Sequence, residues 1–206
     1  MKKFLWLGLI LVVLAGFSLV ACSGSSSDKV KIGVIYIGEP GDAGWTYMHD
    51  QGLQKAVEAI GEDKVELVIQ QNVSEDQAAT QAMEALIKQG CKAIFATSYG
   101  YMDYVVDLAE QYPDVYFFHC SGYKTAENLS TYFGKIEQAR FLTGLVAGLQ
   151  TTSNKIGYVA AFPIPEVIRG INGFTLGVRA ANPNATVQVI WTNTWFDPAK
   201  EKEAAV

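Results

Sequence analysis

From residue 29 onward the chain alternates between two hydrophobic rhythms. Short, near-continuous apolar runs cover residues 30–37, 65–70, 92–97, 115–119, 131–133, 155–160 and 187–191. Stretches with apolar positions at helical spacing lie between them, at about 45–60, 75–89, 102–111, 136–150 and 165–182, with another starting near Pro198. The first kind predicts strands buried on both faces and the second predicts amphipathic helices. In the stretch 75–89 the apolar stripe is Ala78, Ala82, Ala85 and Leu86. In 136–150 it is Phe141, Leu145 and Leu149, with Gly144, Gly148 and the upstream Gly134 permitting close packing.

Regular alternation of strand and helix implies a parallel sheet with helices on both faces, joined by right-handed crossovers. The polar break Thr151-Thr152-Ser153-Asn154 interrupts the series and is the candidate hinge. A first α/β lobe is expected over 29–152 and a second from 153 onward. The second offers two strands and a helix that runs to Val206 without a stop signal, so it is expected to be incomplete in this chain.

The N-terminus follows a different pattern. Lys2 and Lys3 precede an unbroken apolar run from Phe4 to Phe17, the layout of a secretory signal, expected to span 1–21. Leu19-Val20-Ala21-Cys22 then resembles a lipobox, which implies cleavage before Cys22 and its acylation. The segment is also close to the length of a membrane-spanning helix, the alternative reading. Residues 22–28, rich in Ser and Gly, read as a solvated tether. The expected location is the extracytoplasmic face of a cell membrane.

A net charge of −5 with scattered lysines and arginines gives no basic stripe, which argues against a nucleic-acid partner. Cys91 and Cys120 fall at opposite ends of their strands, too far apart to bridge, and are expected as free buried thiols. His49 and His119 have no companions at ligand spacing, so no metal or other cofactor is expected. No G-x-S-x-G elbow, Walker loop or G-x-G-x-x-G fingerprint is present, and no catalytic residue can be named.

Three segments resemble the basic membrane protein family of substrate-binding lipoproteins, which includes the purine nucleoside receptors. The first is Gly41-Asp42-Ala43-Gly44-Trp45-Thr46-Tyr47-Met48-His49-Asp50-Gln51-Gly52; the second covers 94–113; the third runs from Asn154-Lys155-Ile156-Gly157 to Trp195-Phe196-Asp197-Pro198-Ala199-Lys200. The resemblance implies a periplasmic-binding-protein-like fold of two doubly wound α/β lobes closing on a small molecule across a hinge. It implies an ABC permease as partner, a monomer, a lipid anchor at the membrane, and no enzymatic step.

By position Trp45 and Trp195 match the two aromatic rings that hold the base in the nucleoside receptors. Asp42 matches a family acid near the base, where a carboxylate accepts ring N–H groups. The family's Phe-Asn pair is Trp45-Thr46 here, a version that resembles a branch for free purine bases. The family's ribose-holding residues would lie beyond Val206.

Other roles compete for each residue. Trp45 could cap the core, Asp42 could cap the helix, and Phe196 is expected to point away into core while Trp195 faces the ligand. Trp191, inside a strand, is expected in the core, and Tyr99, just past the third strand, is a candidate for lining the cleft. A sugar or signalling molecule as ligand, or an exported nucleoside-processing enzyme, are the alternative functions.

Overall fold

The computed structural model describes residues 29–206 except Ala43, with Asp42 described by its backbone alone. The signal segment, Cys22 and the tether, as well as the Asp42 side chain, lie outside the described residues.

Five strands, β1 (Val30–Ile35), β2 (Val65–Gln70), β3 (Ala93–Ala96), β4 (Tyr116–Cys120) and β5 (Leu129–Tyr132), form one sheet in the order β2-β1-β3-β4-β5. Every pairing in it is parallel. The helices α1 (Trp45–Ile60), α2 (Gln77–Lys88) and α3 (Met102–Gln111) are the crossovers. Parallel strands cannot be joined by hairpins, so the first three return trips are made by helices, while residues 121–128 carry the chain from β4 to β5 without one. In α2 the buried stripe is Ala79, Ala82, Met83 and Leu86, with Ala79 and Met83 in place of the expected Ala78 and Ala85. Together with Ile94, Tyr101, Leu108 and Phe117 it makes the core of this lobe.

The chain leaves β1 in one direction to reach β2 and passes to the other side for β3. The loops after β1 and β3 therefore diverge and leave a crevice at the carboxyl edge of the sheet.

A second sheet holds β6 (Lys155–Ala160) and β7 (Thr186–Trp191), also parallel, with Ala160 opposite Trp191. Helices α4 (Ile136–Gln150), α5 (Pro165–Ala181) and α6 (Pro198–Ala205) accompany it. Asp197 starts α6 by accepting hydrogen bonds from the N–H groups of Ala199 and Lys200, both at 3.1 Å.

Helix α4 packs mainly on α5, and the stretch Thr151–Asn154 is a short turn from α4 into β6. Of the expected stripe, Phe141 and Leu145 are half-buried, beside the expected glycines, and Leu149 departs from it. Leu149 is exposed, as are Leu142 and Val146, while Gly144 and Gly148 are the buried positions. The physical reason is backbone approach. A Cβ on Gly144 would lie 2.0 Å from the Phe174 carbonyl oxygen, and one on Gly177 would lie 2.0 Å from that of Phe141. Bare glycines let the two helices close to main-chain contact, so the seam is carried by residues with no hydropathy signal.

Trp191, expected in the core, ends β7 and is 37% exposed. Cys91 and Cys120 are free and buried, as their strand positions require. Among the described residues no helix is long and apolar enough to cross a membrane.

Candidate functional site

The carboxyl edges of the two sheets face one another, and the loops that leave them build a cleft. From the first lobe come the loop after β1 with the start of α1, the loop after β2, and the turn after β3. From the second come the segment after β6 with the start of α5, and the loop after β7. One cavity of about 560 Å³ is lined by all five, and a second of about 1000 Å³ opens toward β5, α4 and β6. Trp45, Glu166, Thr194 and Trp195 border both.

Four of the residues singled out from sequence, Trp45, Thr46, Tyr99 and Trp195, line the smaller cavity together. Asp42 sits in a 3-10 turn, Pro40–Asp42, and the N-cap position of α1 is Gly44. Phe196, expected to point into the core, is 58% exposed and lines the same cavity.

Trp45 is the first residue of α1, and its indole N–H donates to the Thr97 carbonyl at 2.6 Å. That carbonyl is well fixed, because the Thr97 hydroxyl donates to Ile35 O at 2.8 Å and so ties the ends of β1 and β3. His49, one turn along α1, lies 4.9 Å from the Trp45 ring and bonds its carbonyl through Nδ1, a structural role. Thr46 is buried beside Gly38. Tyr99 opens the turn after β3, and burial raises its phenol above the ordinary range, with Tyr123, Glu166 and Asp103 adding to the rise.

Trp195 is held differently. Its indole N–H donates 3.0 Å to Glu75 Oε2, a side chain of the first lobe, and its ring meets Phe162 edge-on at 4.9 Å. The other Glu75 oxygen accepts from the Ser98 hydroxyl at 2.6 Å and the Gly100 N–H at 2.8 Å. A second bond crosses the cleft from the Ser121 hydroxyl to Glu166 Oε2. Burial raises the Glu166 carboxyl above its usual range; the Ser121 hydroxyl and Arg169 pull it partly back, and Glu75 pushes it up again. Neither acid was singled out by sequence. Glu75 sits in the polar run Asn72-Val73-Ser74-Glu75-Asp76, where Asp76 is the true helix cap, and nothing local separates the two acids.

The electrostatics of the smaller cavity are one-sided. Glu39 and Glu166 line it, and no Lys, Arg or His is among its described lining residues. Asn72 and Asn193 supply amides, with Asn72 donating to Glu39 at 3.0 Å. A phosphate or carboxylate would meet carboxylates without a compensating cation, whereas N–H and O–H donors find acceptors. Arg140 borders the larger cavity, and Arg169 pairs with Glu137 at 3.6 Å. Among the described residues no group of His, Cys, Asp and Glu is suited to a metal ion. Cys120 borders the larger cavity with its thiol pushed up to about 12, chiefly by burial.

Known proteins share this fold. A solute-binding protein of an ABC transporter system from Aeropyrum pernix K1 superposes with a TM-score of 0.75 at 21% identity, over 85% of this chain and 51% of that one. A counterpart from Conexibacter woesei gives 0.65 at 23% identity, over 85% and 59%. Both are likenesses of fold, that of the periplasmic-binding-protein-like solute receptors.

In sequence, a purine-binding protein of Brucella abortus is 45% identical over 197 residues, covering 96% of this chain and 56% of the relative. A putative ABC transporter glucose-binding protein of Haloferax volcanii is 42% identical over 181 residues, covering 88% and 46%. The chain thus spans about half the length of these relatives. The model of one family, described as ABC transporter substrate-binding protein PnrA-like, matches residues 29–206. With that match over nearly the whole described chain, the protein belongs to the PnrA-like family of ABC transporter substrate-binding proteins.

Proposed function

We propose that this chain carries the ligand-capturing cleft of a lipid-anchored receptor that hands a purine base to an ABC permease. The observation that carries the reading is the meeting of Trp45, Thr46, Tyr99 and Trp195, from both lobes, around one cavity of about 560 Å³. A flat, weakly hydrated heterocycle gains about 1 to 3 kcal/mol per base from stacking on an aromatic ring. Its ring and exocyclic N–H groups suit a wall of carboxylate and amide acceptors, which nucleotides, with their phosphates, do not. The Brucella relative, a purine-binding protein at 45% identity, supports the same ligand class.

In this reading the first lobe runs from residue 29 to about 134, and α4 moves with the second lobe because it is sealed to α5. The hinge then includes the passage after β5 rather than the turn before β6. Trp45 and Trp195 bracket the base, Thr46 and Tyr99 border it, and Asp42 stands at its rim. Cys22 carries the lipid anchor on the outer face of the membrane, and the receptor acts as a monomer without catalysing a reaction.

A sugar is the second reading, favoured by the Haloferax relative and by the same acceptors, which also suit hydroxyl groups. Thermal-shift titration of the full-length protein with adenine, guanine, hypoxanthine, adenosine and glucose separates the two. A ligand that binds the native state raises the melting temperature by mass action, by about 2.7 kcal/mol of stabilisation at a hundred times its dissociation constant. The purine reading expects a rise with at least one base. A rise with glucose alone would replace it with the sugar reading.

A further inference from the structure

From the hydrogen bonds of Glu75 we infer that this residue is a positioning residue: it is anchored in the first lobe and holds Trp195 of the second lobe in place over the cleft. The inference rests on the ligand cleft proposed above and adds to it the means by which closure orients the second indole.

The two oxygens of Glu75 do different work. Oε1 accepts two bonds from its own lobe, from the Ser98 hydroxyl and the Gly100 N–H, and Oε2 accepts one from Trp195. The own-lobe side is firmly built. Ser98 is buried, and its carbonyl is bonded to the fully buried His119 through Nε2 at 2.7 Å. A carbonyl only accepts, so Nε2 carries the hydrogen, and burial lowers the basicity of the ring. Gly100 leaves no spare room: a Cβ there would sit 2.5 Å from the Glu75 carboxyl carbon. On the next residue, the buried Tyr101 donates its hydroxyl to Val73 O at 2.6 Å and pins the loop that carries Glu75.

The carboxylate is therefore presented at a fixed point before the lobes meet. An indole N–H has one direction, and a fixed acceptor selects one ring orientation from those that Trp195 has in an open cleft. Little rotamer entropy then remains to be lost when the ligand stacks, which is how preorganisation raises affinity. A hydrogen bond that crosses the cleft must also break before the ligand leaves, so its removal acts on release.

The chemistry of the carboxylate supplies the test. In Glu75→Gln the single remaining carbonyl oxygen serves Ser98 and Gly100, and the amide group faces the indole, donor against donor. The own-lobe anchor survives and the crossing bond is lost. Trp195→Phe removes the indole N–H and keeps an aromatic ring. Dissociation of adenine from the full-length protein is measured for the wild type, each variant and the double variant. Each single change is expected to speed release about tenfold, the worth of one charge-assisted bond. The double variant is expected to be no faster than the worse single, since both remove the same bond. The indole N–H resonance of Trp195, read by NMR without ligand, is expected to move in Glu75→Gln, with that of Trp45 as the internal control.

An unchanged release rate in Glu75→Gln, or single effects that multiply in the double variant, overturns the inference. So does a Trp195 resonance that stays in place in Glu75→Gln. A wild-type protein that ignores adenine while its Trp195 resonance responds to Glu75→Gln counts against the purine reading and supports the inferred bond.

Discussion

The two indoles that border the cleft are held in opposite ways. Trp45 is bonded to a main-chain carbonyl of its own lobe, on the loop where β1 and β3 are tied together. Trp195 is bonded to a side chain of the other lobe. The first ring is fixed whatever the second lobe does, and the second has its partner only when the lobes meet. The parts of the two lobes that the chain contains are also built differently. The first has five strands, with crossover helices packed on a continuous apolar core. The second, among the described residues, has two strands and a helix pair sealed through glycines, with large side chains such as Leu142, Val146 and Leu176 left exposed. One ring fixed within its own lobe and one that depends on the opposite lobe is a division of labour suited to capture and release.

The largest effect that can break this comparison is aimed at the seam between α4 and α5. Gly177→Leu forces a side chain into a space where even a Cβ lies 2.0 Å from a carbonyl oxygen. Overpacking commonly costs about 1 to 3 kcal/mol, and a backbone clash stands at the upper end or beyond. Amide hydrogen exchange is expected to show protection lost in α4, α5, β6 and β7 while β1, β3 and β4 keep theirs. Loss of protection throughout would show that the lobes do not fold as separate units.

Trp45→Ala comes next. It removes a stacking surface worth about 1 to 3 kcal/mol and should weaken purine binding by roughly ten- to a hundredfold, measured by calorimetry. Its effect should appear in affinity at any extent of closure, because its anchor lies within the first lobe. An effect no larger than that of an exposed aromatic such as Tyr116 would place the ligand elsewhere.

The smallest effect concerns Glu166, whose carboxyl is raised chiefly by burial. A raised acid holds its proton more tightly in the native state than in the unfolded one. Its contribution is therefore most favourable below the ordinary carboxylate range, near pH 4, and is lost as pH rises through the raised value. Glu166→Gln removes this ionisation and keeps an oxygen for Ser121. The melting temperature of the variant should gain on the wild type as pH climbs from about 4 toward neutrality. A difference that is flat across this range would mean that Glu166 ionises in the fold as it does in water.

Much of this was legible in the sequence, for physical reasons. The bounds of α1, β2, α3, α4 and β6 follow from hydrophobic period alone, since burying a helix stripe or a two-faced strand leaves a mark at every turn. Trp45 and Trp195 stood out through the resemblance to the family's aromatic pair, and Tyr99 because it follows a strand on the edge where parallel sheets place their ligands. What stayed hidden is tertiary. Glu75 and Asp76 look alike in sequence, and only the folded chain turns one to cap α2 and the other toward Trp195. The close-packing role of Gly144 and Gly148 was legible in the seam of α4, but Leu149, placed on its apolar stripe, is on the outside. Phe196 was read as core because it adjoins Trp195 and was expected to point the other way, yet in the loop after β7 both residues line the smaller cavity.

In the proposed complex a purine is bracketed by Trp45 and Trp195, with its edges toward the acceptors of the smaller cavity. The most direct measurement is a crystal structure of the full-length protein grown with adenine. The account predicts the ring lying about 3.5 to 4 Å from both indole planes, the van der Waals distance of stacked carbons. Glu75 would be bonded to Trp195 at the same time. Adenine seated in the larger cavity beside Arg140 and Glu201, clear of both indoles, would contradict it.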